Sequence, residues 1–258
     1  MTPPCREIRR NILEASNLSG HGHIPTSFSI VEMLRAVFET MRHDPSNPEW
    51  NERDIFILSK GHAALGYYAT LAQYGYIPVK ELATFGAFES RLGCHADRLK
   101  VPGVEVSTGS LGHGIAVAVG MALAFKIARN NRRVFTIVGD GESNEGSVWE
   151  SVMVAVNLKL NNLTILFDSN HSQIRSLPIP NPSDRFRAFG CETIEVNGHA
   201  MDALMGALAV PCSNVKAIIA KTVKGYGCKT LEKNMFEWHR KSPKFEELPE
   251  LIKELEEE

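Results

Sequence analysis

Two short apolar runs end in oxygen-bearing residues of the kind a hard cation takes. Val134–Val138 is β-branched and stops at Gly139-Asp140-Gly141, and Leu163–Phe167 stops at Asp168-Ser169-Asn170. Gly-Asp-Gly on its own reads as a turn. The stretch between the runs is helical from about Glu145 to Leu158, which makes the whole a strand–helix–strand unit. A right-handed crossover returns the second strand parallel to the first, so Asp140 and Asn170 leave the same edge of a sheet. Neighbouring strands would set them roughly 5 Å apart, and one intervening strand about twice that. Ligands of parallel sheets gather at this edge, where helix N-termini also point. Magnesium takes oxygen ligands octahedrally, usually one or two protein groups plus substrate phosphates. One carboxylate with one neutral amide therefore favours a metal–diphosphate complex; a bare calcium-type ion would be better served by two or three carboxylates.

The elements that must position these residues alternate along the chain. Asp54–Leu58, Val134–Val138, Leu163–Phe167, Thr193–Val196 and Val215–Ala220 read as buried strands. Ile8–Leu18, Ser29–Met41, Ala63–Tyr74, Gly112–Asn130, Val148–Leu158 and Met201–Ala209 read as helices. Such alternation with strands this apolar predicts an α/β fold, a parallel sheet with helices on both faces. The Pro-containing stretch Leu177–Asp184 is expected to be a loop, and the acidic, Leu-spaced Phe245–Glu258 a solvated surface helix. The first 130 residues are rich in glycine, which implies backbone in close approach either to a ligand or to packed helices.

Composition narrows the class. Hydrophobic residues make up 43% and charged residues 22% of 258, so the chain is globular and long enough for a large core. A formal charge of -2 gives no electrostatic reason for nucleic acid or an acidic membrane as partner. The longest apolar run, Gly114–Phe125, is too short to span a bilayer. The start, MTPPCREIRR, lacks the apolar core of an export signal. Five cysteines with no CxxC spacing indicate neither a zinc knuckle nor a disulfide framework. A soluble, cytoplasmic protein is expected.

The segment 139–170 resembles the thiamine diphosphate signature, carried here by Gly139-Asp140-Gly141, Glu145-Gly146, Glu150, Ala155, Leu160, Asn162-Leu163, Asp168 and Asn170. The resemblance implies that Asp140 and Asn170 bind Mg²⁺ through side chains and Ser172 through its main-chain carbonyl, with the Gly141 N–H on the diphosphate. Four further segments are similar to transketolases: Ser59-Lys60-Gly61-His62-Ala63, Pro102–Gly112 (PGVEVSTGSLG), Lys221–Gly227 (KTVKGYG) followed by Trp238-His239, and Ser19–Ser29 (SGHGHIPTSFS). The similarity runs from about Ile8 to Pro243. Transketolases hold the sugar's hydroxyls and carbonyl with a cluster of histidines that also shuttle protons. Carried over by motif, these are His23, His62, His95 and His239, with the register between His21 and His23 left open. An imidazole suits that work because it donates at one edge and accepts at the other. The resemblance also places the Gly109 carbonyl on the pyrimidine amino group and Leu111 beneath the ring. Ser110, Glu142, His62 and His239 fall among the cofactor residues and Glu145 among the catalytic ones.

Two departures put the substrate in question and leave the cofactor reading intact. Arg240 stands where the family has glycine, and HSQIRSLP follows Asn170 in place of a glycine-containing run. Arg175 or Arg240 would meet an anionic group or simply be solvated. The pyrimidine-facing glutamate of transketolases belongs to a second domain, and single-chain members continue well past residue 258. The resemblance thus implies an N-terminal subunit, residues 1–243 forming the thiamine diphosphate and Mg²⁺ domain and 244–258 an acidic tail. It would transfer a two-carbon ketol unit between sugars or sugar phosphates. It would need a separately encoded C-terminal subunit, would self-associate through the same domain, and would work as a heterotetramer. Another thiamine-dependent carboligase subunit, similar to deoxyxylulose-phosphate synthase or from specialised metabolism, is the alternative, as is a non-catalytic cofactor-binding subunit. The SKGHA and TGSLG segments favour transketolase, and intact Asp140, Asn170 and four motif histidines argue against decay.

Overall fold

The computed structural model describes residues 1–257. Its five strands, β1 (Ile55–Leu58), β2 (Val134–Gly139), β3 (Leu163–Ser169), β4 (Glu192–Asn197) and β5 (Lys216–Lys221), form one sheet in the order β1-β2-β3-β5-β4. Every pairing is parallel. The pleat sends alternate residues to opposite faces. Phe135 and Ile137 of β2 join one apolar cluster, while Val134 and Val138 join the other. A sheet buried on both faces needs apolar residues at every position, which is why these strands read as continuous runs.

The helices are α1 (Pro3–Ser19), α2 (Ile24–Phe28), α3 (Val31–Thr40), α4 (Ala64–Gln73), α5 (His113–Ile127), α6 (Gly146–Asn157), α7 (Pro182–Phe189), α8 (Met201–Ala209), α9 (Lys229–Lys233) and α10 (Leu248–Glu257). Helices α5, α6 and α7 cover one face. The others contribute to the core on the opposite face. From β3 the chain passes over α7 to the edge strand β4, then returns over α8 to place β5 inside. The expected α/β architecture is the one found.

Three local expectations are corrected. Ser29–Met41 is not one helix: α2 ends at Phe28 and α3 begins at Val31, with Ser29 turned inward to bond Asp168. The stretch Leu177–Asp184 is a loop only as far as Asn181, because Pro182 opens α7, a position where its missing N–H costs nothing. The tail helix is not merely solvated. Leu251 and Leu255, one turn apart, are buried with the α1 side of the core.

A buried ion pair joins the layers on that side. Both terminal nitrogens of Arg9 reach Glu32, at 2.6 and 2.7 Å, and one also donates to the Phe28 carbonyl at 2.8 Å. His199 Nδ1 lies 3.1 Å from the same carboxylate, while its Nε2 accepts the Val223 N–H at 2.8 Å. The second bond requires a bare Nε2, so His199 donates from Nδ1. This links α1, α3 and the loops after β4 and β5. Burial pushes the Glu32 carboxyl up, but Arg9 and His199 outweigh it and hold it at about 2.

Removing one partner of such a pair costs about 3–5 kcal/mol because a charge is left buried alone. Arg9→Met is expected to lower unfolding stability by that amount at neutral pH. Glu32's depressed pKa means its contribution is full above pH 4.5 and fades as pH falls toward 2. The variant's deficit, measured by denaturant unfolding, should therefore shrink on acidification. A deficit that does not vary with pH would contradict this account.

Candidate functional site

Asp168 lies at the carboxyl end of β3 and is wholly buried. Its Oδ2 takes Lys60 Nζ at 2.5 Å, Ser29 Oγ at 2.7 Å and Asn170 Nδ2 at 2.8 Å, and its Oδ1 takes the Thr222 hydroxyl. One carboxylate thus gathers the end of β1, the α2–α3 junction, the end of β3 and the loop after β5. Glu142 does similar work on the other side of β2. Its carboxylate accepts Ser59 Oγ at 2.5 Å and the N–H groups of Gly112 and Gly139 at 2.9 and 3.0 Å. Burial pushes its pKa up, against those three bonds and Lys60. Two glycines let these loops close: a Cβ on Gly61 would meet the Thr108 Cβ at 2.6 Å, and one on Gly114 the Ser59 Cα at 2.6 Å. The glycine-rich first half is thus used at these two positions for close packing of backbone around the site.

Above this frame is a cavity of about 400 Å³. Asp140 and Asn170 leave adjacent strands, with Gly139 opposite Asp168 in the register. Asp140 Oδ1 accepts the Gly141 N–H and Ser172 Oγ, each at 2.7 Å. Asn170 Oδ1 accepts the Ser172 N–H at 3.0 Å, so Ser172 bridges the two. Because Asn170 Nδ2 is spent on Asp168 and Ser29, the amide oxygen is the atom turned toward Ser172. Asp140 Oδ2 is buried with no hydrogen-bond partner among the described residues. An orphaned carboxylate oxygen beside an amide oxygen fits a hard divalent cation. No cluster of three His, Cys, Asp or Glu capable of holding a metal exists among the described residues, so a zinc-type site has no basis there.

Three imidazoles face the same space. His23 precedes α2, His62 lies in the turn after β1, and His239 in the turn Glu237–His239. Ring centroids are 5.5 Å apart for His23–His62, 5.4 Å for His23–His239 and 6.3 Å for His62–His239. Thr26 Oγ1 is 3.3 Å from His62 Nε2, and Lys224 Nζ is 2.9 Å from His239 Nδ1. Burial, with neighbouring cations and imidazoles, lowers His62 to about 2 and His23 and His239 to about 4. All three are neutral at pH 7. His95 lines the same cavity beside Gly109. His21 does not line it. It packs on Phe85, with its Nδ1 3.5 Å from Cys94 Sγ, in an adjoining cavity of about 340 Å³ that shares His23, His62, His95 and Arg240.

His23, His62, His95, His239, Gly109, Leu111, Asp140, Gly141, Glu142 and Ser172 therefore line one cavity, with Asn170 attached through Ser172. Ser110 and Glu145 stand apart. Ser110 Oγ bonds His113 Nδ1 at 3.0 Å at the start of α5, and Glu145 is exposed where α6 begins. The carboxylate of Glu142 is committed to backbone N–H groups and forms floor. Lys60, Asp168, Thr26 and Lys224 were present in the sequence segments without a role. Their signal is position: polar or charged residues buried next to strand ends or in the turns they contact.

The neutral state of the histidines is open to measurement. Free imidazole titrates near pH 6.5, so nuclear magnetic resonance should show His23, His62 and His239 still neutral at about pH 6. A proton taken up by any of them near 6.5 would contradict the burial argument.

Comparison with known proteins adds a name to this arrangement. The family described as "Transketolase, thiamine diphosphate binding domain" matches residues 5–254. One of the two polypeptides of an apulose-4-phosphate transketolase from Actinobacillus succinogenes is 40% identical over 264 residues, covering 98% of this chain and 95% of that protein. A 6-deoxy-6-sulfo-D-fructose transketolase subunit from a Clostridium species is 38% identical, covering 85% and 83%. Among solved structures, a transketolase mutant of Pichia stipitis in complex with xylulose 5-phosphate superposes with a TM-score of 0.90 at 26% identity. It covers 96% of this chain but 39% of that one, so the chain spans about two fifths of the solved transketolases it matches. The chain belongs to the transketolase family and is a transferase subunit, the N-terminal, thiamine-diphosphate-binding half that split transketolases carry as a separate polypeptide.

Proposed function

We propose that the subunit moves a two-carbon ketol unit from a ketose or ketose phosphate to an aldose or aldose phosphate, with Mg²⁺ and thiamine diphosphate in the cavity above β2 and β3. The observation that carries this reading is the orphaned Asp140 Oδ2 set beside three neutral histidines in one cavity. Asp140, Asn170 and the Ser172 carbonyl would hold the metal, and Gly141, His62 and His239 would face the diphosphate. Gly109 and Leu111 would meet the pyrimidine. Thiamine diphosphate, when bound, supplies the carbanion-stabilising chemistry that breaks and remakes the sugar's carbon–carbon bond.

The protein's own part is placement and proton handling. Neutral imidazoles at His23, His62 and His239 each offer one donor and one acceptor to the carbonyl and hydroxyls of a sugar, and His95 extends the row. None carries a charge that would need to be shed before it accepts a proton. Arg240 sits at the lip shared by both cavities with no ion-pair partner among the described residues. It gives an anionic substituent on the substrate a counter-charge. The relatives' substrates, a sugar phosphate and a sulfonated sugar, carry such groups.

A second, C-terminal subunit completes the site in this reading. Helix α5 is apolar on nearly every side, a pattern that belongs to a covered helix. Val117, Ile127, Met153 and Val154, on α5 and α6, stand exposed. Such a face marks an assembly surface, used for self-association and for the partner in a heterotetramer. The five free cysteines fit a cytoplasmic setting.

Asp140→Ala is expected to abolish Mg²⁺-dependent cofactor binding, a loss of about 3–5 kcal/mol on the scale of a broken buried ion pair. Calorimetry on the assembled complex measures it, and unchanged affinity would refute the metal assignment. The purified chain alone, given thiamine diphosphate, Mg²⁺, a ketose and an aldose, should show no ketol transfer until a C-terminal subunit is added. Robust turnover by this chain alone would refute the two-subunit reading.

A further inference from the structure

Lys224 is buried, with 2% of its surface exposed, and has no carboxylate partner among the described residues. Its ammonium has one hydrogen-bonding neighbour, His239 Nδ1, at 2.9 Å. The loop that carries it is pinned on both sides. Before it, Thr222 donates its N–H to the Ser169 carbonyl at 3.3 Å and its hydroxyl to Asp168. After it, Gly225 donates its N–H to the Pro25 carbonyl at 3.0 Å. Gly225 has φ +89°, and a Cβ there would fall 2.8 Å from the Leu231 Cβ, so the backbone cannot take another residue without shifting. The lysine is held against His239 by construction.

The charged groups around it are Lys60, Asp140 and Asp168, with His23, His62 and His239 beyond. Burial and Lys60 push Lys224 down, Asp140 and Asp168 pull it back, and it comes to about 8, so it is mainly charged at pH 7. A lysine ammonium has three donors and no acceptor. His239 Nδ1 must therefore accept, and the proton of this neutral ring belongs on Nε2. His62 has no such constraint, because its partner Thr26 is a hydroxyl that can donate or accept.

We infer that Lys224 is a positioning residue that holds His239 in its Nε2–H tautomer, so that the ring edge away from the lysine meets the ligand as a donor. The oxygens of a diphosphate or a sugar carbonyl are acceptors, and the opposite tautomer would turn a lone pair toward them. The consequence for catalysis rests on the transketolase reading; the tautomer itself does not.

The test is nitrogen-15 correlation spectroscopy of the full chain at neutral pH, with His239→Gln assigning the His239 signals. The wild type should show a protonated Nε2 and a bare Nδ1. Lys224→Met should yield a tautomer mixture, and Lys224→Arg, another pure donor, should restore the single form. In the assembled two-subunit enzyme, Lys224→Met should lower kcat/KM roughly 10- to 100-fold, the scale seen when the partner orienting a functional histidine is lost, with partial recovery in Lys224→Arg. A proton on Nδ1 in the wild type overturns the inference whether or not any variant folds. So does an unchanged tautomer, or full activity, in a folded Lys224→Met. An assembled wild type without ketol transfer would instead sink the transketolase reading, with the wild-type spectrum still deciding the tautomer.

Discussion

The buried Asp168 carboxylate is the constraint on which the rest of the site depends. A lone buried carboxylate is strongly disfavoured, and only a counter-charge with several good donors makes it tolerable. Here the donors are Lys60, Ser29, Asn170 and Thr222, drawn from four separate loops. Each lies close in sequence to a residue facing the cavity. Lys60 is two residues before His62, and Ser29 closes the short helix that His23 opens. Asn170 is two before Ser172, and Thr222 is two before Lys224. Satisfying one carboxylate therefore sets the position of most of the working groups. Any loop that failed to reach Asp168 would leave both a buried donor and a buried acceptor unpaired.

The same arrangement sorts the charges. Lys60 is consumed by Asp168, and Glu142 is consumed by backbone N–H groups and Ser59. What remains facing the cavity is Asp140 with one free oxygen, three neutral imidazoles, and the cations of Lys224 beneath and Arg240 at the lip. A site with a single available carboxylate oxygen and two surplus cations is matched to a polyanion that brings its own metal. The neutrality of the histidines follows from burial beside those cations, since a further positive charge would add repulsion to the loss of hydration.

Much of this was legible in the amino-acid sequence. The five strands could be read because a sheet covered on both faces requires unbroken apolar runs, and Asp140 and Asn170 followed from where two of those runs end. Other features depended on contacts that no local pattern records. The break between α2 and α3 exists because Ser29 is drawn to Asp168, 139 residues away. The start of α7 is marked only by Pro182 within a proline-rich stretch. His21 and His23 both follow glycines, and tertiary packing alone separates them: Phe85 takes the first and the cavity takes the second. Glu145 and Ser110 fell inside motif matches, yet they lie at helix starts, turned away from the cavity. Motif membership places a residue in the right loop; burial and hydrogen bonding decide which way it faces.

The assembly surface and the cavity are two ends of the same elements. Helix α5 begins directly after Gly112, whose N–H is held by Glu142 at 2.9 Å, and its third residue, Ile115, is tied by its N–H to Ser59 Oγ at 3.0 Å. Helix α6 begins four residues after Glu142 itself. Both helices that expose apolar side chains are thus anchored at their N-termini to the carboxylate forming the cavity floor. A displacement of α5 large enough to matter at its outer face would pull on Gly112 and Ser59, and Ser59 adjoins Lys60 and the Asp168 network. Close-packed interiors transmit such shifts rather than absorb them. Covering the apolar face therefore does more than remove hydrophobic surface from water: it fixes the two helices whose first turns hold the floor, and this couples the order of the site to assembly.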